Sequence, residues 1–372
     1  MIIGVDAGSS NPMIIGVDAG ALSIRDDRLK VGVYRVTVNL LRELGKIDKT
    51  NEYRLYTFLP IAPAQMKEFG PRMKNVIVRP VIGWSMIQIP IELRRHPVDV
   101  FLGLSQMIPF SPARNICFVY DLGVLRYPGA YPGSLARLEM QTKQLVKRSD
   151  HIVTISKSTQ TDIINAYRLD KKQITVSYPG IDKRFMISGP KHKEKHLYIL
   201  YVGALKRGKN IPFAIRAFKK FSDKTKTPYD FLLVGGDYWA DSMIPRVIEE
   251  LDLWDRVKLV GFVSDSSLPS YYRGASALFL TSLWEGFCLP ATEAMRCGCP
   301  IICARTGSLP EIVGDAGRVF AKDNETEAAR ALEKITGSIS LRKKLVKTGI
   351  QRSKQFTWHA FARSVHHILT QS

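Results

Sequence analysis

No stretch of the chain stays apolar for the roughly eighteen residues that a membrane-spanning helix requires. The longest apolar runs, such as 197–205, have the length of buried strands. The amino terminus lacks the basic segment of a secretory leader, because Met1 leads directly into Ile-Ile-Gly-Val-Asp. These absences point to a cytoplasmic protein. Cysteine is scarce, five in 372 residues, and Cys288, Cys297, Cys299 and Cys303 crowd together without the paired C-x2-C spacing of a zinc site. Reduced, buried thiols are expected, with neither metal nor disulfide. Nucleic-acid-binding motifs are also missing.

What remains is ordinary in composition, with 45% hydrophobic and 24% charged residues, and long enough for two domains with separate cores. Basic residues exceed acidic ones by 20, spread over both halves without a dominant block. Such a field attracts anionic ligands and an anionic membrane surface, and it is equally compatible with a plain soluble basic protein. Residues 1–8 recur identically at 13–20 and nothing else repeats. The second copy runs on into the rest of the chain and is assigned to the first strand; residues 1–12 read as an extension outside the core.

The most informative stretch is 277–303. Ala277 to Leu280 reads as a buried strand, Glu285-Gly286 as a turn, and Pro290 as the first position of a helix that stops at Gly298. Pro300 to Cys303 starts another strand. Free N–H groups over 287–291 at a helix start suit a phosphate or hydroxyl, and Glu293 on the first turns is placed to accept the hydroxyls of a ribose. Glu285, eight residues earlier in the loop, suits sugar hydroxyls. Spacing alone equally allows an amphipathic helix with two solvated glutamates.

The residues themselves are more specific. Glu285-Gly-Phe-Cys-Leu-Pro-Ala-Thr-Glu293-Ala-Met-Arg-Cys-Gly-Cys-Pro resembles the E-G-F-G-L-P-x-x-E-A-M-A-x-G-x-P signature of retaining glycosyltransferases of family 4, which have the GT-B fold. Cys288 stands where that family usually has Gly, and its β-carbon narrows the loop's approach to a sugar. Other segments extend the likeness from Met13 onward. Gly32, Arg35, Asn39, Leu40 and Leu41 resemble the glycine-rich first loop, with Tyr34 replacing its second glycine. Tyr120-Asp121-Leu122 resembles the H-D-L segment, with Tyr120 at the His that contacts the transferred sugar in relatives. Val202-Gly203 to Lys209-Asn210 resembles V-G-x-L-x-x-x-K-N, whose Lys meets the donor's phosphates. Some relatives carry Arg at the position of Ala204; Lys206 and Arg207 are the candidate substitutes here. Gly235 and Gly236 leave room for a base against the backbone. Leu268 to Ala275, Thr306 to Gly317 and the F-x-W of Phe356 to Trp358 complete the match.

The resemblance implies two Rossmann-like α/β domains with parallel sheets facing across a cleft. Residues 13–182 form the acceptor-side domain, 183–196 a linker, 197–355 the nucleotide-sugar domain and 356–372 a helix returning to the first domain. It further implies transfer of a hexose, of mannose type, from a nucleotide-diphosphate sugar to a glycan or lipid-linked acceptor. Glu285, Lys209, Tyr120 and Asp121 are the catalytic candidates. Glu293, Gly203, Gly235, Gly286, Phe287, Cys288 and Leu289 join Lys209 as donor-binding candidates, with Gly32, Tyr34 and Arg35 on the acceptor side. No D-x-D metal motif occurs, so no metal and no cofactor is expected beyond the donor. The departures at Tyr34, Tyr120 and Cys288 also allow a non-catalytic glycan- or sugar-nucleotide-binding subunit; a GT-B sugar-nucleotide epimerase or a phosphorylase is the other enzyme reading. Val81 to Arg95 reads as a helix packed on its own sheet, with contact to a membrane or to the acceptor, which the resemblance implies, as the alternative. Ser158 is the expected cap of the helix after His151–Ser156, and Ala21–Val31 is expected to be a polar loop.

Overall fold

The computed structural model describes residues 11–30, 32–105, 108–130, 135–236 and 241–371. The first copy of the octapeptide lies outside the described residues, as do Val31 and residues 131–134. The chain divides into two compact units. One holds the residues up to 118, 141–152 and those from 362 onward; the other holds 119–140 and 153–361.

Thirteen strands are described, in two sheets. The first contains β1 (Ile14–Asp18), β2 (Glu52–Thr57), β3 (Met73–Ile77), β4 (Val100–Gly103), β5 (Arg114–Val119), β6 (His151–Thr154) and β7 (Ile174–Val176) in the order β3-β2-β1-β4-β5-β6-β7. The second contains β8 (Leu197–Val202), β9 (Tyr229–Val234), β10 (Val257–Gly261), β11 (Ala277–Leu280), β12 (Ile301–Ala304) and β13 (Gly317–Phe320) in the order β10-β9-β8-β11-β12-β13. The described pairings of both sheets are parallel. Strands covered on both faces must be apolar along their whole length, which is why β9, β11 and β12 are buried at every position. Both sheets reverse their order beside the first strand of the set, between β1 and β4 and between β8 and β11. In open α/β sheets that reversal opens a crevice at the carboxyl ends of the strands.

Helices follow the same logic. Gly32–Ile47 buries Val36, Leu40, Leu41 and Leu44, one stripe at helical spacing. In the second unit, Ile211–Ser222 buries seven residues, and Phe218 stacks on Phe231 of β9 with ring centroids 5.3 Å apart. Three local expectations change. The segment 21–30 contains two short 3-10 turns, Gly20–Ser23 and Asp27–Leu29. The helix Lys157–Tyr167 is capped by Ser156, whose hydroxyl accepts from Thr159 N at 3.1 Å. Ser158 lies inside the first turn and gives its N–H to Glu311 at 3.0 Å. Val81–Arg95 is a π turn, Trp84–Gln88, followed by a helix, Ile89–Arg95. Ile89, Pro90 and Leu93 are buried, while Ile82, Met86, Ile87 and Ile91 face outward.

A buried carboxylate ties the last helix, Trp358–Thr370, into the first unit. Asp48 accepts from the N–H groups of Thr50 and Asn51, both at 3.0 Å, and from the Tyr53 hydroxyl at 2.6 Å. Its Oδ2 lies 3.1 Å from His366 Nε2. Burial by itself raises a carboxyl pKa; here His366, Tyr53 and the backbone donors outweigh it and hold Asp48 far below the usual range. A depressed folded-state pKa contributes stability that is full above the unfolded value, about 4, and is lost as pH falls toward the folded value. Asp48→Asn should cost about 2–3 kcal/mol at pH 7. In urea unfolding the deficit should shrink progressively below about pH 4; a deficit that stays constant with pH would show that the charge plays no part.

Candidate active site

Glu285 lies in the loop after β11 and Lys209 in the loop after β8, so adjacent strands at the order reversal bring together residues 76 apart in sequence. Lys209 Nζ meets Glu285 Oε1 at 2.5 Å, and the Ser282 hydroxyl donates to the same oxygen at 2.6 Å. The backbones are tied as well. Thr281 Oγ1 donates to the carbonyls of Lys209 (3.0 Å) and Asn210 (3.2 Å), and Leu283 N to that of Gly208 (2.9 Å). Ser308 N holds the Glu285 carbonyl at 3.0 Å, and Thr306 Oγ1 that of Ser282 at 2.7 Å. Burial disfavours the Lys209 ammonium, but Glu285 more than offsets it and raises the lysine's pKa. The lysine is therefore held as the ammonium at neutral pH.

The loop after Glu285 is packed too closely for side chains. A β-carbon on Gly286 would stand 2.1 Å from the Tyr120 carbonyl oxygen and 3.0 Å from Asp121 Cβ. Tyr120 and Asp121 follow β5, and Asp121 Oδ1 accepts from Gly123 N at 2.8 Å. Cys288 has φ +75°, a conformation natural to glycine, and it precedes the helix Leu289–Arg296. Its thiol is buried; burial first, and then Glu285, push its pKa well up, so it stays protonated. Pro290 is the second residue of that helix, and the Ala291 N–H is already bonded to the Cys288 carbonyl at 3.0 Å. That narrows the free donors expected over 287–291. Phe287 is buried, its ring 6.2 Å from that of Tyr178. On the facing loop, a β-carbon at Gly235 would strike the Gly203 carbonyl at 1.9 Å, so these two glycines bring β8 and β9 into close backbone contact.

Asp121, Lys206, Lys209, Trp284 and Glu285 line one small cavity of about 50 Å³, with Tyr127 at its edge. Of the two candidate substitutes, Lys206 lines the cavity and Arg207 does not. Burial, and then the neighbouring Lys209, lower the Lys206 pKa. Glu293 stands apart from this cavity. It is buried on its helix, and Tyr272, itself fully buried, donates its hydroxyl to Glu293 Oε2 at 2.8 Å. Sequence reasoning missed Ser282 and Tyr272 as members of the site. Only Tyr272 carried a signal, the L-x-x-x-Y-x-x-A segment. Gly32, Tyr34 and Arg35 belong to the first unit, on the first turn of Gly32–Ile47. The Tyr34 hydroxyl accepts from Gln65 Nε2 at 3.3 Å, and Lys30 Nζ lies 5.3 Å from the Tyr34 ring centre.

Residues 182–352 match the family described as glycosyl transferases group 1. O-antigen chain mannosyltransferase B of Escherichia coli is 27% identical over 278 residues, 72% of this chain and 72% of its own length. Sucrose-phosphate synthase of Thermosynechococcus elongatus superposes with a TM-score of 0.76 at 18% identity, covering 96% of this chain and 98% of that one. HepE of Anabaena, solved with UDP and glucose, gives 0.73 at 16% identity, covering 97% of this chain and all (100%) of its own. At such identities the structural likeness speaks for the fold, GT-B. Residues 182–352 are thus a glycosyl transferases group 1 domain, and the chain is a glycosyltransferase.

Proposed function

We propose that this enzyme moves a hexose, of mannose type, from a nucleotide-diphosphate sugar to a glycan or lipid-linked acceptor of a cell-surface polysaccharide, with retention at the anomeric carbon and without a metal. The observation that carries the reading is the Lys209–Glu285 pair at the strand-order reversal. The mannose assignment leans on the E. coli relative. The diphosphate donor leans on the two lysines that line the cavity and on the UDP held by the Anabaena protein.

In this reading the donor exchanges partners with the empty site. Its diphosphate takes Lys209, and its sugar hydroxyls take Glu285. As the bond to the anomeric carbon breaks, negative charge grows on the leaving phosphate and positive charge on the sugar. Lys209 stabilises the first and Glu285 the second. Glu293, aligned by Tyr272, holds the ribose. The leaving phosphate removes the acceptor's proton on the same face of the sugar, which accounts for retention without a protein nucleophile. The domain limits at 13–182 and 197–355, with the linker between, are kept as part of this proposal, as is the acceptor-side role of Gly32, Tyr34 and Arg35.

Glu285→Gln separates the two halves of the exchange. Transfer should fall about 100- to 1000-fold, the scale of a lost charge-stabilising group. Lys209, released from its partner, should bind GDP or UDP at least as tightly as before in calorimetry. Full transfer activity in the variant would remove Glu285 from the mechanism.

We propose further that the enzyme works at an anionic membrane surface, which the exposed apolar segment supports. Val81 is 56%, Ile82 87%, Met86 48%, Ile87 54% and Ile91 38% exposed, a row of large side chains that water disfavours. Arg79, Arg94 and Arg95 are exposed beside them. Each basic residue near an anionic leaflet contributes about 1 kcal/mol. The protein should float with phosphatidylcholine vesicles that contain phosphatidylglycerol, and Ile82→Ser with Ile87→Ser should release it. Equal recovery with and without the anionic lipid would sink the proposal.

A further inference from the structure

The cavity beside Glu285 has an aromatic edge that donor chemistry leaves unexplained. Tyr127 and Trp284 both line it, with ring centroids 6.2 Å apart and planes tilted by 43°. Each ring is half-buried, so part of each surface remains open. Neither ring is loosely held. The Arg126 guanidinium lies 5.6 Å from the Trp284 ring centre and is itself anchored, its Nε donating to the buried Asp162 at 2.9 Å. Lys322 Nζ lies 4.4 Å from the Tyr127 ring centre. Cations over aromatic faces fix ring orientation while leaving the remaining surface available. The Trp284 indole N–H is shielded from solvent and, among the described residues, has no hydrogen-bond partner. A buried donor without an acceptor is unfavourable until something supplies one.

We infer that Tyr127 and Trp284 form the subsite for the acceptor sugar, and that the acceptor therefore ends in a pyranose. The inference rests on the reading that Glu285 faces the transferred sugar. Trp284 is the residue before Glu285, so whatever packs on it lies within a few ångströms of the reacting carbon, where an attacking hydroxyl has to be. A pyranose presents one face of C–H groups, which packs on aromatic rings, and a rim of hydroxyls. Asp121, Lys206 and the Trp284 N–H are the polar groups at that edge that match the rim. A phosphorylated polyol or a bare lipid phosphate would meet the lysines and leave both rings without a role. A nucleobase would also use the rings, and binding of a nucleoside diphosphate tells the two apart.

The test uses the full-length enzyme with GDP and UDP and the methyl α-pyranosides of mannose, glucose, galactose and N-acetylglucosamine. Nucleoside diphosphate affinity is read by calorimetry, and glycoside binding by saturation-transfer NMR with the nucleotide present. At least one glycoside should receive saturation at its ring C–H protons. Tyr127→Ala should weaken that glycoside at least tenfold more than the nucleotide, and Tyr127→Phe should restore it. Three results overturn the inference: no glycoside bound by the wild-type enzyme, equal glycoside binding by Tyr127→Ala, or a loss in that variant that falls on the nucleotide. If the wild-type enzyme binds neither GDP nor UDP, the donor reading itself fails, and the acceptor subsite with it.

Discussion

The active site depends on one ion pair. Lys209 and Glu285 are both largely shielded from water, and either charge alone in that position would cost several kcal/mol. Paired, with Ser282 on the same carboxylate oxygen, they satisfy each other and hold the loops after β8 and β11 in fixed register. The bonds from the Thr281 hydroxyl and the Leu283 N–H to the carbonyls of residues 208–210 then cost little extra ordering, because the ion pair has already brought the loops together. Under the proposed function the same charges serve in the reaction. The site does not have to assemble a cation and a carboxylate around the donor; it has to exchange partners between groups already within reach.

That arrangement leaves almost no room for side chains on the Glu285 loop. Gly286 lies against the Tyr120 carbonyl, and a β-carbon on Gly307 would stand 2.5 Å from the Glu285 carbonyl oxygen. Cys288 carries its β-carbon on a left-handed backbone, a conformation that costs a non-glycine residue about 1–2 kcal/mol. A thiol suits the position electrically. Kept protonated by burial and by Glu285, it adds no second negative charge to compete for Lys209. An ionised or larger side chain in its place would disturb the pair that organises the site.

How much of this was legible in the sequence varies by element. The strands of the second unit were, because β9, β11 and β12 are covered on both faces and read as unbroken apolar runs. The loop positions of Glu285 and Lys209 were legible through motif resemblance, but their contact was not, since 76 residues separate them and only the sheet order joins them. Tyr272 and Glu293, 21 apart, meet for the same kind of reason. The cap at Ser156 was misplaced to Ser158 because both are serines at plausible offsets; the hydroxyl bond to Thr159 decides. At Val81–Arg95 the helical pattern was visible, yet a π turn rotates Met86 and Ile87 outward, and nothing in the apolar spacing announces that change of pitch.

Charge acts on two scales. Within the cavity lining, two basic side chains, Lys206 and Lys209, stand beside two acidic ones, Asp121 and Glu285. The formal excess of 20 positive charges is therefore carried elsewhere on the chain. At physiological ionic strength exposed charges beyond about 8 Å are largely screened, so this excess cannot set the affinity of a bound diphosphate. Its effects are on encounter, by steering anionic donors inward, and on attraction to an anionic surface. In the proposed reading affinity comes from local rearrangement: once Glu285 turns to sugar hydroxyls, two lysines face the phosphates in a confined space. In that reading, a site whose lysines are freed only when the donor has displaced the carboxylate discriminates against simple anions, which offer Lys209 a partner but give Glu285 none.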